Sequence, residues 1–471
     1  MRKLQRRWRI DDPNHEHDMN MTDLAITTRT GAGVVGATGG CMPTIPCMHR
    51  NRNARHWLVS LATLVLLAPL VAHAEVRISG FGTLGAAISD QDFVYQRFID
   101  DGGTLNRDSL IGLQLDIQLA DAWGLTLQAK AAPSTHDENA WEPTLSWAFL
   151  SWRPDNDLLL RAGRLRLPLM LYSANSDVGV TFEFARLPTE VYSLLPTTDL
   201  NGLSFARTWL DDSHEWTLEG YLGKTHTEWR YYLRDNMEPL FPAGVSFLGY
   251  DFLMGGLTLS RRERENLWRI GLHRTDAEAD QGPVPRKFPF VTLVPGTDIG
   301  YYQVANEMPG PGVSFVDKYI IYLLTLGVEM TLPQDIRLVG EYGQRRVDNA
   351  SIAGPNTHAA YLSLLKRIGR WTPYVYWAGI RSRPPALDFG DALNRNRVPD
   401  VIPGAAAINA TQRAGADMLG PFDQQSWAIG ASYSLSPTSK LKAEWLHTRT
   451  GVLSSFVGSA LLYMISRMSF N

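Results

Sequence analysis

From residue 76 to residue 470, short segments alternate apolar and polar residues with a period of two, and this constrains the fold more than any other feature of the chain. In 110–121 one parity carries Ile111, Leu113, Leu115, Ile117 and Leu119, and the other Gly112, Gln114, Asp116 and Gln118. A pleated strand with this spacing has one greasy face and one wet face. The same split recurs in 124–132, 335–345 and 426–435. A soluble sandwich shows it too, so the connections between segments must decide.

Strands are expected near 76–89, 109–120, 124–133, 144–153, 158–167, 202–211, 215–229, 248–261, 266–277, 319–332, 335–348, 358–367, 371–383, 426–435, 440–449 and 460–470. Between them DAWG, PDND, DDSH, RRERE, LPQD, RIGR and SPTS read as tight turns, and 90–108, 168–201, 230–247, 278–318 and 384–425 as long loops. Tight turns at one end and long loops at the other are the arrangement of a transmembrane β-barrel. The expected fold is all-β, a 16-stranded antiparallel transmembrane barrel whose third extracellular loop, 168–201, folds inward. Trp123, Trp147, Trp152, Trp216, Trp268, Trp371, Trp377, Trp427 and Trp445 fall at or near strand ends, where such a barrel places aromatic girdles.

An export signal precedes the strands. The apolar run 58–72 is too short to span a bilayer, follows Arg50, Arg52 and Arg55, and ends at Ala72-His73-Ala74, an A-x-A cleavage site. The expected parts are therefore an extension at 1–47, a signal peptide at 48–74 removed after Ala74, and a barrel over 75–471. Cys41 and Cys47, the chain's two cysteines, fall in the extension, so the mature chain has no disulfide. Of the 471 residues, 397 remain. Nine of 45 Lys/Arg and five of 48 Asp/Glu leave with the leader, so 36 and 43 remain, a formal charge of −7. That acidic balance argues against a nucleic-acid partner.

Three stretches then carry a resemblance. VRISGFGTLGAAIS (76–89) is similar to the first strand of the general porins of Gram-negative bacteria. Residues 161–206 resemble the strand, constriction loop and following strand of a proteobacterial porin-like group, and 423–445 that group's penultimate hairpin. The resemblance implies an outer-membrane location, a homotrimer, and recognition of the last strand by the barrel-assembly machinery. Such barrels usually end on an aromatic residue; here Phe470 is penultimate, before Asn471.

Sixteen strands enclose an aqueous lumen, so the expected function is passive diffusion of small hydrophilic solutes or ions through an outer-membrane channel. The constriction residues are Asp177, Glu183, Arg186, Glu190 and Asp199, four acids to one base. Opposing wall charges are expected from Arg161, Arg164, Arg166, Arg337, Arg345, Lys440 and Lys442, and acids facing bases would set a transverse field. Asp116, Lys130, Glu219, Arg337, Glu341, Lys442 and Glu444 have clean inward parity. Arg161 has the opposite parity from Arg164 and Arg166, so Gly163 marks a bulge or some of the three lie at the rim.

Two rival classes remain. One is a non-conducting structural or adhesive barrel; the other is an outer-membrane lipid hydrolase with a Ser/His pair. His136, His214, His226, His273, His358 and His447 are scattered, with no serine at a spacing that suggests a nucleophile and base on one strand face. No G-x-S-x-G, H-E-x-x-H or phosphate-binding glycine loop occurs in the mature chain, and the acids of the long loops match no calcium loop. The expectation is no enzyme, no catalytic residue, no metal and no cofactor. The loops at 278–318 and 384–425, rich in Gly, Pro and Ala, are expected as mobile caps or subunit contacts.

Overall fold

The alternating segments form strands, as the side-chain period requires. A computed structural model of the chain describes residues 75–91, 98–134, 140–195, 197–235, 242–348 and 356–451, and the backbone of 457–470. The expected leader, its cleavage site and both cysteines lie outside these residues, as does the side chain of Phe470. The first half of the sheet contains β1 (Glu75–Ser89), β2 (Leu110–Ala120), β3 (Trp123–Pro133), β4 (Trp141–Trp152), β5 (Leu158–Arg166), β6 (Asp199–Leu210), β7 (Glu215–Leu233), β8 (Gly244–Glu263) and β9 (Asn266–Ala279). Four short strands follow: β10 (Val284–Lys287), β11 (Phe290–Thr292), β12 (Gly300–Tyr302) and β13 (Ser314–Val316). The sheet resumes with β14 (Tyr319–Leu332), β15 (Ile336–Asp348), β16 (Thr357–Lys366), β17 (Trp371–Ser382), β18 (Asp423–Ser436), β19 (Ser439–Thr450) and β20 (Val457–Phe470).

Each strand of this large antiparallel sheet pairs with its neighbour in the order β1 to β9 and then β14 to β20. β1 is bonded to β2 along one edge and to β20 along the other, from Ser79 opposite Phe470 to Ser89 opposite Ala460. No helix among the described residues is long and apolar enough to cross a membrane.

The tight turns have a local cause. Between β14 and β15 the three residues Pro333–Asp335 reverse the chain, with Gln334 and Asp335 both at positive φ, 67° and 57°.

The two faces of the sheet differ. One carries exposed Leu113, Leu203, Leu222, Leu257, Leu272, Leu362, Val375, Trp427 and Ile429. At its tight-turn end Trp123 stacks on Trp152 at 5.5 Å, Arg261 lies between Trp216 and Trp268, and Trp371 packs on Tyr433 at 4.7 Å. Trp147 departs from the expected girdle. A register shift at Gln128/Ala129 turns it to the inner face, where it lines a small cavity with Phe149 and Arg161.

The inner face packs against residues 167–198, which include the single-turn helix α1 (Thr189–Tyr192). The two longest loops, expected as mobile caps or subunit contacts, contain secondary structure of their own. Besides β10 to β13 they contain α2 (Pro384–Arg395) and α3 (Ala405–Leu419). Tyr301, Val304, Leu393, Val398 and Ala414 form a separate small core between them. The apolar stripe of α2, Leu387, Gly390 and Leu393, is one the reading of 384–425 as a loop did not use.

Candidate functional site

The site is the segment 167–198 and the wall that holds it. Its seat is made by side-chain size: Gly327 and Gly343 leave dents in the inner face filled by Leu171 and Leu194. Phe184, fully buried, meets the rings of Tyr361, Tyr374 and Tyr376 edge-on at 6.0, 5.2 and 5.8 Å. Edge-to-face contacts of this kind stabilise by about 0.5–1.5 kcal/mol beyond the area they bury.

Polar groups then fasten the segment's backbone. Glu341 accepts hydrogen bonds from the Leu171 N–H at 2.6 Å, the Tyr192 hydroxyl at 2.6 Å and the Tyr361 hydroxyl at 2.8 Å. The Tyr192 hydroxyl also accepts from the Tyr172 N–H, joining the two ends of the segment. Lys442 donates to the carbonyls of Gly179 and Phe184 at 2.6 and 2.8 Å and lies 4.0 Å from the Phe182 ring centroid. Arg345 donates to the Leu194 carbonyl at 3.1 Å. Glu444 accepts from Tyr374 and Tyr376, and Tyr374 in turn accepts the Ala185 N–H. Glu341, Arg345, Lys442 and Glu444 therefore stand on the inner face as supports of the segment, each 4% exposed or less.

The loop charges are paired with the wall instead of facing it across open water. Asp177 accepts from Lys130 at 2.8 Å and from Arg166 at 2.7 Å. Glu183 pairs with Lys440 at 2.7 Å and accepts from Ser432. Arg186 meets Asp108 through two bonds, Nε donating at 2.8 Å. Asp199, at the start of β6, pairs with Arg164 at 2.7 Å. Glu190 is buried and accepts from Gln424 at 2.8 Å and from Ser426. Burial disfavours the charge of Asp177, but the Arg166 and Lys130 cations outweigh it and hold its pKa below the ordinary carboxylate range. Glu183 is likewise penalised by burial and held low by Lys440. Asp108 is held low against the same penalty by Arg186.

The remaining wall residues take other partners. Asp116 accepts from Gln114 and Thr126, each at 2.8 Å. Glu219 pairs with Arg269 at 3.1 Å, whose guanidinium also donates to the Pro168 carbonyl. Arg337 pairs with Glu329 at 2.5 Å. Arg161 lies over Phe149 and, with Arg166 and Glu219, lines an inner cavity of about 210 Å³. The register of β5 with β4 and β6 runs without a shift past Gly163, whose φ is +136°, so Arg161 stands opposite Ser151 and Ser204 and Arg164 opposite Ala148 and Asn201; Arg161 and Arg166 line the inner cavity, and Arg164 pairs with Asp199. A Cβ at Gly163 would come within 2.2 Å of the Ala148 carbonyl. At the tight-turn end Lys440, Glu183, Arg337 and Glu329 line a cavity of about 870 Å³ together with Arg262, Arg264, Arg367, Glu265 and Asp335.

Asp108, Tyr192, Tyr361, Tyr374 and Tyr376 belong to this site and were not singled out from sequence. The signal existed for Tyr374 and Tyr376, which share the parity of Thr372 opposite Trp371, Val375 and Trp377. Asp108 ends a long loop, where parity has no meaning.

Two other clusters bear on the rival classes. Ser213, His214 and Asp211 are in contact at an exposed tight turn: Ser213 Oγ lies 3.1 Å from His214 Nδ1 and 3.5 Å from Nε2, Asp211 is 2.9 Å from Nδ1, and Glu263 is 3.6 Å from Nε2. The serine's shorter contact is to the nitrogen the aspartate also uses, whereas a nucleophile and base need opposite ring nitrogens for these two partners. His226 lies between Asp251 and Asp280 at 3.1 and 3.7 Å through its two nitrogens, all three exposed. The trio comes together across β7, β8 and the end of β9, and each residue can turn one ligand atom toward a common point.

No protein-family model matches the chain, and no curated protein matches it. Among solved structures the chain is similar to OprB of Pseudomonas putida, at 11% identity and TM-score 0.48, over 88% of this chain and 97% of that one. It is similar to an anion-selective porin from Comamonas acidovorans, at 9% identity and TM-score 0.47, over 84% and 100%. It is also similar to the outer membrane channel DcaP of Acinetobacter baumannii, at 11% identity and TM-score 0.46, over 84% and 98%. All three scores lie below 0.5, and the functional reading rests on this chain's own strands and side chains.

Proposed function

We propose that the chain is an outer-membrane porin. The sheet is read as a closed barrel of sixteen membrane-spanning strands around a water-filled lumen, narrowed by the inward segment 167–198. Small hydrophilic solutes or ions diffuse through it, and it carries no catalytic machinery. The observation that supports this best is the division of the two faces: leucines and tryptophans outside, and inside a charged wall holding the segment and a mixed-charge cavity of about 870 Å³. In lipid every backbone group must be bonded, which a sheet whose first strand pairs with its last achieves without an open edge.

One observation favours the non-conducting barrel. Apolar side chains of the inner face on β7 to β9 and β14 to β19 join those of 167–198 in one continuous core, which narrows the space left for water. Reconstitution in planar bilayers separates the two readings. Discrete conductance steps are expected; folded protein that inserts and passes no current refutes the porin reading.

A further inference from the structure

On the outer face the wall is dented where β6 to β9 and β14 to β15 run side by side. Outward positions 220 and 255 are glycine, and Leu203, Leu222, Leu257 and Leu272 stand around them, 53–63% exposed. The dent is an apolar groove of about 770 Å³, within the range of roughly 300–1,000 Å³ of ligand sites. The ring of Phe205 occupies the space of a Cβ at Gly220, so packing explains that glycine. It does not explain Gly255, where a Cβ would only touch Leu222 at 3.3 Å and the Tyr221 carbonyl at 3.5 Å. A larger residue there needs only a small shift of the flexible end of Leu222 and would fill the groove.

Toward the long-loop end the apolar lining stops at three outward residues on adjacent strands. Tyr322 on β14 is the register partner of Arg274 on β9 and of Arg346 on β15. With strands about 4.8 Å apart, the two arginine Cα atoms lie roughly 10 Å from each other, close enough for both guanidinium groups to meet one anion. Arg346 is exposed and has no hydrogen-bond or ion-pair partner among the described residues. Arg274 donates twice to Asp276 on its own strand, Nε at 2.9 Å and Nη2 at 3.4 Å, and keeps three of its five N–H donors for another acceptor. Asp276 and Asp348 lie one step nearer the loops, and Gln344 completes the groove's polar edge.

We propose that this groove binds one phosphorylated lipid of the outer leaflet, an acyl chain over Gly220 and Gly255 and a phosphate between Arg274 and Arg346. The inference rests on the outer-membrane reading. Charge complementarity selects the occupant, because two guanidinium groups above an apolar trough match a phosphate above an acyl chain.

The test is native mass spectrometry of the full chain in detergent, with purified bisphosphorylated lipid A as probe and its dephosphorylated form as control. One bound lipid A per chain is expected. The apparent Kd should weaken by about tenfold in R274S and in R346S, and by about tenfold for the dephosphorylated form. Gly255→Leu, which keeps both arginines, should lose binding by filling the groove. Heat-modifiable migration on gels identifies folded variants, and if an arginine variant fails to fold, G255L alone decides. Unchanged affinity in the folded variants overturns the proposal. So does a stable self-association that G255L abolishes without any effect of lipid A, which would assign the groove to a second copy. Protein that conducts but binds no lipid overturns only the lipid site, whereas protein that enters no vesicle overturns the outer-membrane reading itself.

Discussion

Asp177→Asn isolates the electrostatics of the inward segment. In the native chain the Asp177 carboxylate sits within 3 Å of both Lys130 and Arg166, leaving the trio a net charge of one. Asparagine keeps the shape and leaves two cations. At 4 Å in a water-like dielectric, the extra unit charge changes the energy of a passing monovalent ion by about 1 kcal/mol. That is about fivefold in local partition, in opposite senses for anions and cations, so the permeability ratio should move toward anions by up to about 25-fold. The assay is the reversal potential across a planar bilayer under a KCl gradient. The shift should be largest at 0.01 M, where charges act over about 30 Å, and nearly vanish at 1 M, where they act over about 3 Å. Asp177→Glu keeps the charge and should leave the potential unchanged. A D177N channel with native conductance and a native reversal potential at low salt would show that the trio does not face the solute path.

The other predictions concern the fastening of the segment. Glu341→Ala leaves the Leu171 N–H and two tyrosine hydroxyls without their acceptor, at about 3–5 kcal/mol of local stability. The first turn of the segment should become open to limited proteolysis while the barrel stays heat-modifiable, and Glu341→Gln should restore part of the protection. Asp177 and Glu183 have pKa values lowered from 3.8 and 4.5. Lowered values add stability that is fully present above those ordinary values and lost as pH falls through the folded ones. Conductance should therefore be steady from about pH 5 to 8 and grow noisy below about pH 3.8, and a transition near neutrality would refute the pairing. Gly163→Ala places a Cβ 2.2 Å from a backbone carbonyl at a φ of +136°, a cost of at least about 1–3 kcal/mol. Its folded yield on refolding into detergent should drop, and a native yield would refute the strained geometry.

Much of the fold was legible because the pleat is a local property. Ile111, Leu113 and Leu115 face one way whatever their partners are, and a turn such as Gln334-Asp335 is decided within a few residues. The same parity places Asp116, Lys130, Glu219, Arg337, Glu341, Lys442 and Glu444 on the inner face. It failed where the pleat is interrupted, at the register shift that turns Trp147 inward. It was silent about 384–425, where two helices bury small apolar stripes against each other and α3 also packs on β7.

Local alternation is enough to specify the strands, their greasy and wet faces, and the inward side of most charged wall residues. What those charges do depends on contacts made across the fold. Glu183 and Lys440 are 257 positions apart, Glu190 and Ser426 are 236, and Leu171 and Glu341 are 170. Alternation carries no information over such separations. They are set by the path of one segment across the inner face and by the glycines and tyrosines that seat it, and this path turns loop acids expected to face the wall across open water into ion pairs and hydrogen bonds with it.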